Sequence, residues 1–384
     1  MDSLIKALSM TKYILLSLLL ITLSSCGQSS GLAPDEISGL LPFDGVTCAV
    51  TVEQDMTADE FEAILQDGNS ASDPFIVCIG ENVSINEGSS NDINMDFAFL
   101  HIQGFSNTSS LINNVTLTSS THDVNAIFRR LRVTGTGAGG VAISSMNSTQ
   151  ATFLDIQDCN VISEHRGIHA ISDPSSELII RNTTISTENL SIHNYGDASQ
   201  NLVIENSQIT SIDSDAIFIH ALNSSAVTIQ NSQIAAKGVT FEVLSGFSGI
   251  GNFNIANSTF NATSSGLEFN QYSIVNATIE NTTITTGATG IYMGTIAVDI
   301  NLNLGGNTIR ANGGNAGTYT SMYLHYGNNL IMNDISSKKH LTCNDVNSPA
   351  TNFTKVLETT TPPTGTFSIA NTQNGDNNTI PNCP

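Results

Sequence analysis

Histidines, glutamates and aromatic residues recur through the middle of this chain in positions that suit proton transfer and sugar binding. Several sit in short segments that alternate apolar and variable residues, among them Gly167-Ile-His-Ala-Ile171, Asp215-Ala-Ile-Phe-Ile219, Gly266-Leu-Glu-Phe269 and Gly290-Ile-Tyr-Met293. A glutamate near a histidine suits acid–base chemistry or metal binding, because imidazole changes charge near neutral pH. Aromatic rings suit stacking on sugar rings, since they present a large flat apolar face. If Ile168, Ile192, Ile217, Phe241, Phe269, Ile291 and Leu324 point inward on strands, alternation sends their neighbours outward. One outward column then holds His169, Ser191, Phe218, Thr240, Glu268, Tyr292 and Tyr323. The other holds His193, His220, Glu242, Asn270 and His325, with His165 just before the face. The candidate ligand-binding face is therefore His193, Phe218, His220, Glu242, Glu268, Tyr292 and Tyr323. The plain alternative is a mixed polar sheet face without a ligand, since strands carry β-formers on both sides.

Such columns need a repeating scaffold, and the sequence contains one. Five blocks share one pattern: Leu178-Ile-Ile-Arg-Asn182-Thr-Thr-Ile185, Leu202-Val-Ile-Glu-Asn206-Ser-Gln-Ile209, Val227-Thr-Ile-Gln-Asn231-Ser-Gln-Ile234, Phe253-Asn-Ile-Ala-Asn257-Ser-Thr-Phe260 and Ala277-Thr-Ile-Glu-Asn281-Thr-Thr-Ile284. Their Asn residues are 24, 25, 26 and 24 positions apart. Weaker copies place Asp158 before Val161 and Arg130 before Val133, and Asn307 extends the series with a shift of one residue. In each block apolar residues alternate as in a strand with one buried face. Asn then allows a sharp bend, because it tolerates the left-handed backbone region. A second short strand follows, and the His- or Glu-bearing segment supplies a third. Three strands per repeat of about 24 residues is the plan of a parallel β-helix; an α-helical repeat needs longer 3.6-period stretches, a leucine-rich repeat needs Leu at tighter spacing, and a propeller blade needs ~40–45 residues. Stacked coils place equivalent residues ~4.8 Å apart, so Asn182, Asn206, Asn231, Asn257 and Asn281 are expected to form a structural, hydrogen-bonded ladder.

The repeat resembles the right-handed parallel β-helix superfamily, the pectate-lyase-like group, over roughly residues 95–335. The resemblance implies an all-β, single-stranded right-handed solenoid of about ten coils. It also supplies tests for catalysis. Polygalacturonase-like hydrolases of that group carry an Asn-Thr-Asp, an Asp-Asp pair one coil later, Gly-His-Gly and Arg-Ile-Lys. Here Ser214-Asp215 stands for the first, Ala235-Ala-Lys-Gly238 lies where the pair belongs, and the last two are absent. Pectate-lyase-like elimination needs an Arg or Lys base and Ca²⁺ held by clustered carboxylates. Arg166 and Arg181 lie near Asp158 and Glu164, without a stacked acidic triplet. Asp213 and Asp215 are the one candidate Ca²⁺ position, set against a solvated turn; no other metal or cofactor is implied. No catalytic residue is assigned. The expected function is a non-catalytic surface for adhesion or for carbohydrate or protein binding. The alternative is a divergent polysaccharide lyase or glycoside hydrolase working in the groove of the first strand.

Composition narrows the partners. Of 384 residues, 34 are acidic and 12 basic, so the net charge is −22 and no run of Lys and Arg marks a nucleic-acid or anionic-lipid surface. The apolar run 13–23 is too short to span a membrane and has the length of a signal-peptide core, with Lys6 and Lys12 before it. It ends in Leu23-Ser24-Ser25-Cys26, which resembles the lipobox of bacterial lipoproteins. That resemblance implies removal of residues 1–25, a lipid on Cys26 and attachment to the cell envelope. Gly27 in place of Asp points to the outer membrane.

Residues 26–40 have the composition of a tether, 41–94 of an N-terminal cap, 95–340 of the β-helix and 341–384 of a C-terminal cap or tail. Within the first cap, Thr57 and Glu60 form a capping box that predicts a helix over 57–66, followed by a strand at Phe75–Ile79. Export implies an oxidising compartment, so Cys48 is expected to pair with Cys78 and Cys343 with Cys383. Cys159 is then left as a buried filler. The sequence assigns no oligomeric state.

Overall fold

Through residue 311, each repeat folds into three short parallel strands separated by corners of two to five residues. In a computed structural model of the protein, one coil reads Ile192–Gly196, Ser199–Glu205, Gln208–Ser211. We call these the first, second and third faces. The structure describes residues 45–311, 322–324, 340–347 and 369–373, less short stretches between strands. The first face is a ten-stranded parallel sheet running from Asp92–Asn94 to Met322–Leu324. The protein is thus an all-β parallel solenoid, with one helix among the described residues.

Stacking in register makes the core. On the second face Leu178, Leu202, Val227, Phe253 and Ala277 pair in succession, and Ile180, Ile204, Ile229, Ile255 and Ile279 do so two residues on. All are buried. The third face adds Ile185, Ile209, Ile234, Phe260 and Ile284, and the first face adds Ile168, Ile192, Ile217, Phe241, Leu267 and Ile291. Like side chains stack on like, so each coil presents its neighbour with the same groove to fill.

The corner between the second and third faces explains the recurrent Asn. Asn182, Asn206, Asn231, Asn257 and Asn281 all have φ between 49° and 52°, and Arg130 and Asp158 hold the same place at 55° and 56°. The hydrogen-bonded ladder, however, runs one residue later than the sequence suggested. The Asn side chains face solvent, whereas Thr183, Ser207, Ser232, Ser258 and Thr282 are buried. Each of these hydroxyls donates back to the carbonyl two residues earlier, as Ser232 does to Gln230 at 2.7 Å. Each also accepts the N–H of its counterpart in the coil before: Thr183 donates to Ser207 at 3.1 Å, and Ser207 to Ser232 at 3.1 Å. Asn307 ends the described ladder by accepting from Thr282 N–H at 2.9 Å, which accounts for its one-residue shift. Cys159 stands at the same position near the other end. Its N–H donates to Thr183, and its thiol points to the Gln157 carbonyl at 3.2 Å. It is free and buried, and burial pushes the thiol up to about 12.

Parallel pairing begins inside the segment expected to be only a cap: Val50–Val52 pairs with Val77–Ile79, which leads into Leu100–Gly104. The helix α1 (Ala58–Asp67) follows, with the expected capping box: Thr57 N–H donates to Glu60 at 2.8 Å and Glu60 N–H to Thr57 Oγ1 at 3.4 Å. Its Ala58, Phe61 and Leu65 are fully buried, while Asp59 and Glu62 accept from Ser89 and Asn94 N–H. The helix thereby covers apolar side chains that the terminal coil would otherwise expose. The expected Cys48–Cys78 disulfide is present. At the other end pairing continues through His340–Asn347 to Ile369–Gln373. Cys26 and Cys383, and so the expected lipidation and the Cys343–Cys383 pair, lie outside the described residues, as does His325.

Candidate functional site

The first face gathers the sequence-predicted residues into one row rather than two columns. Its register is Ser144, His169, His193, Phe218, Glu242, Glu268, Tyr292, Tyr323, each paired with the next. Six of the seven candidate residues therefore occupy consecutive coils. The seventh, His220, lies two residues along in the neighbouring row Ile171, Tyr195, His220, Leu244, Asn270. The earlier assignment of Ser191 and Thr240 as outward is corrected: both are fully buried. Ser191 lies in the corner before its strand, where its hydroxyl meets Thr187 at 2.8 Å and donates to the Thr210 carbonyl at 2.9 Å. Unequal corner lengths had shifted the count: Leu267, not Phe269, pairs with Phe241, and Met322, not Leu324, with Ile291.

The row has two chemically distinct parts. In the first, the His169 and His193 rings stack at 4.8 Å with 7° between planes, and His193 meets Phe218 at 5.4 Å. Tyr195 and His220 add a tilted contact at 4.6 Å beside them. Burial, with the neighbouring His193 and Arg166, pulls His169 down to about 3. Burial, Arg166 and His220 pull His193 down to about 4. Both imidazoles are therefore neutral at pH 7. Arg166 Nη1 lies 3.3 Å from each ring nitrogen of His169 and supplies a cation at this end. His193 Nδ1 is buried without a described hydrogen-bond partner.

In the second part, Glu242 and Glu268 are register partners. Burial first, then the charges of Glu268 and Asp215, push Glu242 up to about 7, against a hydrogen bond from Asn270 Nδ2 at 3.3 Å. A carboxyl raised towards neutrality, as Glu242 is, can donate a hydrogen bond through its proton and accept through its other oxygen. Tyr292 and Tyr323 continue the backbone register of this row.

Asp213 and Asp215 turn to different partners. Asp213 pairs with Lys237 at 2.8 Å, and Asp215 accepts the Val239 N–H at 2.6 Å. Among the described residues no group of three His, Cys, Asp or Glu side chains is placed to hold a metal ion. His165 leaves the face for a corner, where its ring meets Asn189 Nδ2 at 2.9 Å. Sequence reasoning missed Tyr195, although a residue two positions from His193 on a strand must share its face.

No known protein family, curated protein or solved structure matches the chain.

Proposed function

We propose that the first face binds a neutral or weakly charged glycan, without catalysis, on a right-handed, pectate-lyase-like β-helix held at the bacterial outer membrane by a lipid on Cys26. The observation that carries this reading is the unbroken, part-exposed row from His193 to Glu268 on consecutive coils, backed by the buried His169 ring. Coil steps of ~4.8 Å are on the scale of a sugar residue. Stacked neutral rings offer apolar platforms, and the carboxyls beyond them offer directed hydrogen bonds to hydroxyls. A net charge of −22 disfavours polyanions on such a face.

The test is affinity measured against a panel of neutral polysaccharides. His193→Ala with Phe218→Ala should weaken binding at least tenfold; unchanged affinity removes this face as the contact surface. The anchor is tested separately: Cys26→Ala should abolish lipid labelling and release the protein from membranes, and persistent labelling refutes it.

Adjacent Glu242 and Glu268 favour a second reading, cleavage of a glycan by an acid and a carboxylate on neighbouring coils. Retaining glycosidases hold such groups ~5–5.5 Å apart, close to the coil spacing of ~4.8 Å. New reducing ends or unsaturated products that vanish in Glu242→Gln would establish it in place of the non-catalytic reading.

A further inference from the structure

Positive charge is scarce in this chain and unevenly placed. Between residues 13 and 236 there are five basic residues, and three of them are Arg129, Arg130 and Arg132. The fold wraps these three around a single corner between the second and third faces. Phe128 and Val133 point into the core, so alternation turns Arg129 and Arg132 outward on either side of the left-handed residue Arg130. Both are half-exposed, yet the Nε atom of each is shut off from solvent with no hydrogen-bond partner. Neither side chain forms an ion pair or hydrogen bond with another described residue.

One carboxylate lies within reach of the corner: Asp155 feels the charge of Arg181, at 3.6 Å, first and that of Arg129 second, while Arg181 turns its Nε to Glu205 at 3.0 Å. Asp158 stacks in register on Arg130, not on Arg129 or Arg132. His101, beside Arg129 on the coil before, is held neutral at pH 7, down to about 4, by burial and by the Arg129 charge. Like charges crowded in this way repel one another unless an anion lies between them.

The coil before also builds a ledge beside the corner. Two residues separate the strands Val124–Arg129 and Arg132–Gly135. Five residues, Phe105 to Ser109, separate Leu100–Gly104 from Ser110–Ile112. Gly104 lies against the Arg130 carbonyl, where any side chain would collide, so the longer turn sets out directly beneath the arginines. It carries a large exposed apolar residue, Phe105, and a knot of hydroxyls in which Ser106 Oγ meets Thr108 at 3.0 Å and Ser109 at 2.8 Å. Guanidinium forks, hydroxyls and an aromatic face are what a phosphate or sulfate ester on a sugar would require.

We propose that the Arg129–Arg130–Arg132 corner, with the Phe105–Ser109 ledge, is a binding site for a tetrahedral oxyanion, a phosphate or sulfate group, separate from the glycan face. It does not depend on the reading of the first face. The test is calorimetric titration of the full chain at low ionic strength with two probes, inorganic phosphate and a sulfated hexasaccharide. Arg129→Gln and Arg132→Gln should each weaken binding at least tenfold. Arg129→Lys and Arg132→Lys should fall between, because a point charge replaces a fork. Lys237→Gln, which removes the same charge at a distant corner, should change affinity less than twofold. Binding of either probe with this pattern upholds the site, and the two arms distinguish a free anion from a sugar-borne one. Absence of saturable binding to both probes overturns the proposal. So does equal weakening in all the Gln variants, which would make the effect one of net charge. Unchanged melting temperatures in the two Lys variants keep their affinities interpretable if a Gln variant is unstable.

Discussion

His169 and His193 stack face to face on adjacent coils, 4.8 Å between centroids and 7° between planes. Two imidazoles hold that geometry at low cost only while both are uncharged. Burial is the first cause that pulls them down, to about 3 and about 4. In the unfolded chain each protonates near pH 6.5. As pH falls from 6.5 towards 4 the unfolded state therefore binds protons that the folded state refuses, and stability is lost. Each histidine contributes about 1 kcal/mol per pH unit over that window. His169→Phe with His193→Phe should flatten this part of the profile while leaving stability at pH 8 nearly unchanged. Denaturant melts at pH 8, 6 and 4.5 check it, and parallel losses in wild type and variant would show that the pair does not titrate as described.

Glu242 has the opposite sign. Its folded value is raised to about 7 from an ordinary 4.5, so the folded state holds a proton that the unfolded state gives up. The stabilisation is complete below pH 4.5 and is lost as pH rises through 7. Glu242→Gln, which keeps the amide-sized shape without the charge, should leave stability at pH 4 unchanged and raise the melting temperature at pH 8. The difference between variant and wild type should grow between pH 5 and 7.5. A difference that stays flat across that range would mean that Glu242 is ionised throughout.

What the sequence disclosed follows from how locally each feature is encoded. The Ile columns and the left-handed Asn were visible because each depends on a few adjacent residues: alternation needs only a strand, and φ near +50° needs only a residue that tolerates it. The capping box of Thr57 and Glu60 and the Cys48–Cys78 pair are local in the same way. The His193–Phe218–Glu242 row was harder, because register between coils depends on the length of every corner. Ser191 and Thr240 were placed outward because strand alternation holds only from Ile192 and Phe241 onward, and the residue before each lies in a buried corner. The Arg129–Arg132 corner escaped notice for a related reason. The cluster Arg129-Arg130-Leu131-Arg132 is plain in the sequence, but that Arg129 and Arg132 share one outer surface depends on the left-handed bend at Arg130.

The corner ladder offers a sharper contrast, because two neighbouring residues do different work. Asn231 supplies a backbone angle, φ 51°, and its side chain lies in solvent. Ser232 supplies the hydrogen bonds: it accepts the Ser207 N–H at 3.1 Å and donates to the Gln230 carbonyl at 2.7 Å, at 1% exposure. Asn231→Gly keeps the angle and should cost well under 1 kcal/mol beyond the entropy of a freer chain. Asn231→Val forces a β-branched residue into the left-handed region and should cost about 1–3 kcal/mol. Ser232→Ala leaves the angle alone but strands the buried Ser207 N–H, while the Gln230 carbonyl keeps the Asn206 N–H at 3.0 Å; this should also cost about 1–3 kcal/mol. Ser232→Cys should recover part of that loss, since Cys159 already fills the equivalent place with its thiol on a carbonyl. Equilibrium unfolding of the four variants orders them. If Asn231→Gly proved as damaging as Ser232→Ala, the Asn side chain itself would have to carry the ladder, and the division of labour between the two residues would fail.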